Sequence, residues 1–462
     1  MDHSGLRCPL LPHYQLYMEE KEFYSIDEIA GKLGISIKSV RRMVASGELK
    51  SVKIRNLYRI SKDAYYDFIK NHEVAPIVQY SLFEDEFIPS DEPIEKPKVK
   101  RGRKPRVSAN LCESVDIFGN VRNDDVNWAS ISALWNNPSH SQMTFVDLFC
   151  GAGGLSKGLE LSGLEGICGL DWFKEACMTY NRNFDHPFVN GDIKDPEIKQ
   201  KFYDTVKDQL NGRQLSIVAG GFPCQGFSMA GNRIVDDPRN SLYLELIEIV
   251  KHLQPEFVIC ENVKGLRSML DGKVEQKILE DFRAIGYEMN VTTLCAADYY
   301  TPQKRERVIF IGNRIGKKNY HPKPILKPSE YITTGQSIAD LMDYPEDKDF
   351  NHVPTKHRPD MAQRMLELPE GQSLYKGYSD AWKKCPWNEA SCTIKENHGG
   401  VNIHPKLPRV LTAREMARLQ SFPDNFIFEG PKNKQLVQIG NAVPPLLGKA
   451  IGLAVRFSND DL

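Results

Sequence analysis

Two short stretches place reactive side chains where a strand gives way to a turn. In Gly220-Gly221-Phe222-Pro223-Cys224-Gln225-Gly226-Phe227-Ser228 a cysteine sits behind a proline and between glycines. Such a turn is rigid and leaves the thiol accessible, unlike the packing role open to the other nine cysteines. Some 36 residues later, Cys260-Glu261-Asn262-Val263 brings a carboxyl to the end of the next strand. No histidine lies near either motif, so the Cys–His pair of a thiol hydrolase is missing. A thiolate beside a carboxyl suits acid/base work on a heterocycle better than peptide hydrolysis.

A second set of signals concerns a cofactor. Asp147-Leu148-Phe149-Cys150-Gly151-Ala152-Gly153-Gly154-Leu155 reads as a strand, a glycine-rich turn and a helix start. Glycines there let backbone approach a ligand at the free N–H groups of the helix. The pattern is not G-x-G-x-x-G, which weakens a dinucleotide reading. Asp171-Trp172 ends the next strand, offering an acid for a ribose diol and an indole for an adenine. Gly191-Asp192-Ile193 ends the third and suits a base edge. Each alone is ordinary loop chemistry. Three at successive strand ends point to a nucleoside cofactor over the carboxyl edge of a sheet.

The elements needed to position these groups are legible. From Phe145 onward apolar runs and helical stretches alternate at βαβ spacing. Strands are expected at 144–149, 166–170, 187–189, 216–219, 257–260, 290–294 and 307–311, and helices at 155–161, 175–183 and 242–252. The fold class is α/β, a Rossmann-like sheet covered on both faces. Regularity is lost from about 313 to 408, returns as a helix near 413–420, and ends in an apolar stretch at 443–455. The chain of 462 residues carries 60 Lys+Arg against 61 Asp+Glu, so no basic excess announces a nucleic acid, and local surfaces must decide. No apolar run approaches a membrane span, and no signal peptide or paired-cysteine framework is present. Membrane, secreted-scaffold and disordered classes are excluded.

Residues 22–72 read as a separate winged helix-turn-helix. Ser25 and Ser36 are expected to cap two helices, with Arg41 and Arg42 outward on the second, and Lys53 and Arg55 on a β-wing. Residues 73–142 form a linker rich in proline and charge. Its basic end, Lys98 to Arg106, resembles an AT-hook, from which Lys104 before Pro105 departs. The rest divides into a regular α/β region at 143–312, a smaller irregular region at 313–430, and a closing segment at 431–457.

Taken in order, these motifs resemble the cytosine-5 DNA methyltransferases over roughly 143–457, which implies a catalytic and cofactor-binding domain at 143–312, a target-recognition domain at 313–430, and a segment at 431–457 that completes the first. Gln303-Lys304-Arg305-Glu306-Arg307 is similar to the family's Q-x-R-x-R, Arg409 to Pro423 to its bracing helix, and Gln438 to Pro445 to its last motif. The resemblance implies that Cys224 adds to carbon 6 of a cytosine flipped from duplex DNA and that Glu261 hydrogen-bonds its ring nitrogen and amino group. Arg305 and Arg307 supply fixed positive charge, Arg307 being the better candidate for the base carbonyl. Carbon 5 then takes the methyl group of S-adenosylmethionine. That cofactor is expected against Asp147, Phe149, Gly151, Gly153, Gly154, Leu155, Asp171, Trp172, Asp192, Ile193 and Asn441. Gln225, Ser228 and Arg239 are expected on the DNA, as are the aromatic and basic residues Tyr375, Tyr378, Trp382, Trp387, Lys383 and Lys384 of the recognition domain. The N-terminal unit resembles the excisionase/MerR-type helix-turn-helix. Expected partners are double-stranded DNA and S-adenosylmethionine, with no metal and no membrane. The setting is a prokaryotic cytoplasm, and a restriction endonuclease is a functional rather than physical partner. Two other readings stay open: an RNA cytosine-5 methyltransferase, or a DNA-binding transcriptional regulator. Cys385, Cys392, His398 and His404 fit no common zinc spacing.

Overall fold

The computed structural model describes residues 23–26, 29, 37–47, 49–54, 57–61, 63–64, 67–68, 135, 138–223, 241–375, 382–395 and 401–461. Contacts divide the chain into two units, Met1–Val107 and Ser108–Leu462. In the first, β1 (Phe23–Ser25), β2 (Val52–Ile54) and β3 (Leu57–Ser61) make an antiparallel sheet in the order β1-β3-β2. Ser25, expected as a helix cap, closes β1 opposite Arg59, and helix begins at the next residue, Ile26. Helix α1 (Ile37–Ser46) buries Val40 against Tyr24, Ile29, Leu49, Ile60 and Phe68, and exposes Arg42. The side chains of Arg41, Lys53 and Arg55 lie outside the described residues, as does the AT-hook-like segment.

The larger unit is built on seven strands: β4 (Thr144–Leu148), β5 (Glu165–Asp171), β6 (Phe188–Asn190), β7 (Ile217–Gly220), β8 (Phe257–Val263), β9 (Glu288–Cys295) and β10 (Glu306–Asn313). Their order is β6-β5-β4-β7-β8-β10-β9, parallel except for β10, which runs antiparallel to both neighbours. Every expected strand is present. The order reverses at β4/β7, so the loops after these strands open side by side at one edge. Helices α2 (Gly154–Leu161), α3 (Lys174–Asn183), α4 (Pro196–Leu210), α5 (Ser241–Leu253) and α6 (Lys273–Ala284) flank the sheet. Helix α4 is additional to the sequence reading, although Asp195 caps it and Pro196 opens it in the standard manner.

The region read as irregular contains two further helices, α7 (Thr334–Ile338) and α8 (Pro359–Glu367), before α9 (Ala413–Leu419). These pack a second core around Ile338, Met365, Ile403, Leu411, Met416 and Phe426, which also takes in Cys150, Ala152, Tyr180 and Phe184 from beside the glycine-rich turn. Helices α10 (Lys432–Asn441) and α11 (Pro445–Ser458) return to the sheet. Helix α11 lies close on α2: a Cβ on Gly158 would stand 2.4 Å from the Pro445 carbonyl oxygen, and one on Gly452 2.2 Å from Ser162 Oγ. The end of the stretch read as linker belongs here too. Trp135 packs on Tyr300, Lys449 donates to its carbonyl, and Arg456 donates to the Ser139 carbonyl.

Candidate active site

At the carboxyl edge of the sheet the ends of β7 and β8 lie together. Gly220 of β7 pairs with Cys260 of β8, so the next residues, Gly221 and Glu261, fall side by side. A Cβ on Gly221 would stand 3.1 Å from Glu261 Oε2, so the glycine lets the turn pass next to the carboxyl. Asn262 donates through Nδ2 to the Phe222 carbonyl at 2.9 Å and anchors the turn from below. Phe222 is buried against Tyr243, and Pro223 is exposed. Cys224, Gln225, Ser228 and Arg239 follow directly but lie outside the described residues.

Opposite Glu261 in the antiparallel ladder stands Ile309, and Arg307 lies two residues away on the same face. Its Nε meets Glu261 Oε1 at 2.7 Å, with each side chain 13% exposed. The pair is shielded enough to be strong yet open on one side. Arg305 behaves differently from the expectation of a second free charge. It is 2% exposed, and its Nη1 and Nη2 donate to the carbonyls of Ile394 and Gly440 at 2.9 and 3.0 Å. Burial, with Arg307 adding, pushes its pKa well down. The reason is topological: chain from the smaller lobe and the end of α10 both arrive at this strand end with unpaired carbonyls. Gln303 does parallel work, donating to the Leu419 carbonyl and accepting from the Ile394 N–H. Of the Q-x-R-x-R side chains, Arg307 alone pairs with Glu261.

The cofactor signals separate into those facing the edge and those beneath it. Phe149, Gly151 and Gly153 have φ of 55°, 53° and 90°. A phenylalanine held there is strained, and it persists because the packed turn leaves no alternative. A Cβ on Gly151 would meet nothing within 4 Å, so this point of the turn opens onto free space. Trp172 is 74% exposed at the end of β5, and Asp192 is exposed after β6. An open turn, an exposed indole and two carboxylates fit an adenine nucleoside lying across the edge. Asp171 is more occupied than expected: it accepts from the N–H of Gly151 at 2.9 Å and of Phe173 at 2.8 Å, so it also shapes the turn. Burial raises its pKa against those two hydrogen bonds. Asp147, Gly154, Leu155 and Ile193 stand below. Leu155 and Ile193 belong to the core, and a Cβ on Gly154 would clash at 2.3 Å with the Val443 carbonyl. Asp147 is 1% exposed and accepts from Ser156 Oγ at 2.6 Å. Asn441 is exposed at the end of α10.

In the smaller lobe, two expected DNA residues turn inward. Lys384 donates to the carbonyls of Met365 and Leu366, and Trp387 packs over Gly335. Lys384 thereby satisfies carbonyls at the end of α8, and the Trp387 ring covers the start of α7. Tyr375 and Trp382 stand edge to face, 6.0 Å between centroids, beside Arg364. Trp382 has φ 53°. Lys383 and Tyr378 add nothing to this geometry, Tyr378 being outside the described residues. Sγ of Cys385 and Cys392 lie 3.9 Å apart, whereas His404 faces Glu415, and no metal-ligand cluster occurs among the described residues.

Known relatives cover most of this chain. The model of the C-5 cytosine-specific DNA methylase family matches residues 143–456, and that of a helix-turn-helix domain matches 23–71. The Type II methyltransferase M1.HphI of Haemophilus parahaemolyticus is 36% identical over 333 residues, 69% of this chain and 87% of that protein. M.DdeI of Desulfomicrobium norvegicum, also a Type II methyltransferase, is 32% identical over 381 residues, covering 68% and 88%. Among solved structures, one described as a DNA modification methyltransferase encoded within an E. coli prophage superposes with a TM-score of 0.56 at 26% identity, covering 69% of this chain and all of that one. With a seven-stranded sheet whose edge joins Glu261 and Arg307, and a family match over residues 143–456, this chain belongs to the C-5 cytosine-specific DNA methylases and is a DNA (cytosine-5-)-methyltransferase.

Proposed function

We propose that this enzyme is the modification partner of a restriction endonuclease in a prokaryotic cytoplasm, methylating one cytosine within a short duplex sequence, with S-adenosylmethionine as its cofactor. The observation that carries the reading is the Glu261–Arg307 pair set against Gly221, three residues before Cys224. Cys224, as thiolate, forms a bond to carbon 6 of the flipped base. Glu261 accepts from the amino group and gives a proton to the ring nitrogen as the thiolate adds, so that the negative charge arriving on the ring is neutralised. Arg307, already oriented by Glu261, presents its remaining N–H groups to the base carbonyl. Arg305 and Gln303 fix the strand end on which Arg307 stands. After the carbon 5 proton departs, the Cys224–carbon 6 bond breaks and the thiolate is restored. Phe149, Gly151, Asp171, Trp172, Asp192 and Asn441 would hold S-adenosylmethionine, which would supply the electrophilic methyl group that carbon 5 takes before its proton departs. Gln225, Ser228 and Arg239 contact the DNA beside the nucleophile, and Arg41, Arg42, Lys53 and Arg55 give the N-terminal unit a separate hold on duplex, suited to autoregulation at an operator.

The test is incubation with labelled S-adenosylmethionine and either mixed-sequence duplex or total transfer RNA, followed by mapping of modified cytosines. Label at one short recurring duplex sequence is expected. Label on RNA alone would overturn the substrate assignment, and tight duplex binding without label on either would favour the regulator. Cys224→Ser should abolish transfer while duplex binding persists; near-normal turnover would sink the mechanism.

A further inference from the structure

Beneath the glycine-rich turn runs a buried chain of polar side chains that the reaction itself does not use. Asp147 ends the strand before the turn, and Ser156 lies in the first turn of α2 after it, so the Ser156–Asp147 hydrogen bond closes the loop at its base. Ser156 Oγ in turn accepts from the Tyr180 hydroxyl at 3.0 Å. That hydroxyl lies 2.7 Å from His186 Nε2, and His186 Nδ1 is 3.5 Å from Glu160 Oε1, near the surface. The donors have one consistent direction. Ser156 donates to Asp147 and Tyr180 donates to Ser156, which leaves the Tyr180 oxygen to accept from His186 Nε2. All members but Glu160 are nine-tenths buried or more.

The ring of Tyr180 is held as firmly as its hydroxyl. It stacks on Phe184 with centroids 4.2 Å apart and meets Phe188 edge-on. A Cβ on Gly153 would come within 2.9 Å of it, and one on Gly169 within 2.7 Å. Tyr180 therefore touches the floor of the turn through its ring and holds the turn's closing bond through its hydroxyl, from a helix that itself starts just after Asp171 and Trp172.

We propose that Tyr180 is a positioning residue for the cofactor: through Ser156 and Asp147 it fixes the glycine-rich turn in the strained conformation that receives S-adenosylmethionine. The inference rests on the cofactor assignment proposed above. Removing the hydroxyl while keeping the ring leaves the aromatic packing intact but takes the donor from Ser156 and the acceptor from His186. The turn is then free to leave its strained φ values, and cofactor affinity falls while Glu261, Arg307 and Cys224 are untouched.

The test is calorimetric binding of S-adenosylmethionine to the full-length wild type, Tyr180→Phe and Ser156→Ala, with steady-state kinetics and thermal melting on the same preparations. Tyr180→Phe is expected to raise the dissociation constant and the cofactor KM together by five- to tenfold, with a much smaller change in kcat; Ser156→Ala, which opens the same bond one step nearer the turn, should do the same. If the wild type binds no S-adenosylmethionine, the cofactor assignment itself fails. If the wild type binds and both variants bind within twofold of it, even with lowered melting temperatures, Tyr180 is merely structural and the proposal is overturned. A fall in kcat equal to the rise in KM would overturn it as well, since the effect would then lie on the chemical step.

Discussion

The Arg409–Glu415 pair allows a worked prediction on what holds the smaller lobe to its task. Glu415, wholly buried at the third position of α9, takes two guanidinium hydrogen bonds from Arg409 at 2.8 and 2.7 Å and one from the Thr412 N–H at 2.8 Å. Burial alone would raise its pKa, but the Arg409 bonds and charge, helped by His404 and the Thr412 N–H, hold it below the usual range. In Glu415→Gln the amide oxygen can keep one of these bonds, while a second guanidinium bond and the countercharge are lost. A hydrogen bond to a charged group contributes about 1.5–3 kcal/mol, and breaking a buried pair costs about 3–5 kcal/mol. The loss should therefore be about 3 kcal/mol at pH 7.5, read as a lower urea midpoint with unchanged slope. Replacing both partners, Arg409→Met with Glu415→Met, removes the buried charges together and should cost only about 1 kcal/mol, the share of the Thr412 N–H. The pH dependence has a fixed sign. A depressed carboxyl stabilises above its unfolded value of about 4.3 and loses that contribution as the pH falls, so the gap between wild type and Glu415→Gln should stay flat from pH 8 to about 5 and narrow below. A single-variant loss under about 1 kcal/mol, or a double variant as costly as two singles, would refute the argument.

Three further outcomes follow from the same geometry. Gly153→Ala places a Cβ 2.4 Å from the Phe184 ring at φ 90°, so S-adenosylmethionine binding by calorimetry should weaken more than about tenfold; near-normal binding would show that the turn yields freely. Glu261→Gln leaves Arg307 without its countercharge and should lower kcat by about 10²–10³-fold while duplex binding by gel shift persists; unchanged kcat would remove Glu261 from the chemistry. His404, whose pKa burial pushes down to about 4, stays neutral in the fold while the unfolded chain takes up a proton. Stability should accordingly fall as the pH drops from about 6.5 towards 4, by at most about 3 kcal/mol, and His404→Gln should flatten that slope in urea titrations.

How far the sequence reaches is clearest at the strand ends. Apolar runs located all seven strands because a sheet covered on both faces leaves no polar alternation to confuse them. The glycine-proline turn and Glu261 are expected at one edge because consecutive parallel strands end there, and the pairing of Gly220 with Cys260 brings them together. What stayed hidden depends on chain arriving from far away. Helix α7 is five residues long, too short to show a period, and its apolar contacts are made with residues distant in sequence; α8, by contrast, carries a readable one, with Met361, Met365 and Leu368 on the core at i, i+4 and i+7. Ser156, Tyr180 and His186 look like an unremarkable serine, tyrosine and histidine until β4, α2 and α3 bring them into line. The same holds within one motif. Arg305 and Arg307 stand two residues apart with the same chemistry, yet the carbonyls of Ile394 and Gly440, 89 and 135 residues further on, claim the first and leave the second to Glu261. A strand end can announce that several polar side chains leave it together. Which of them keeps a charge facing the substrate is decided by the backbone that returns to cover the others, and that information is spread over the whole chain rather than written at the motif.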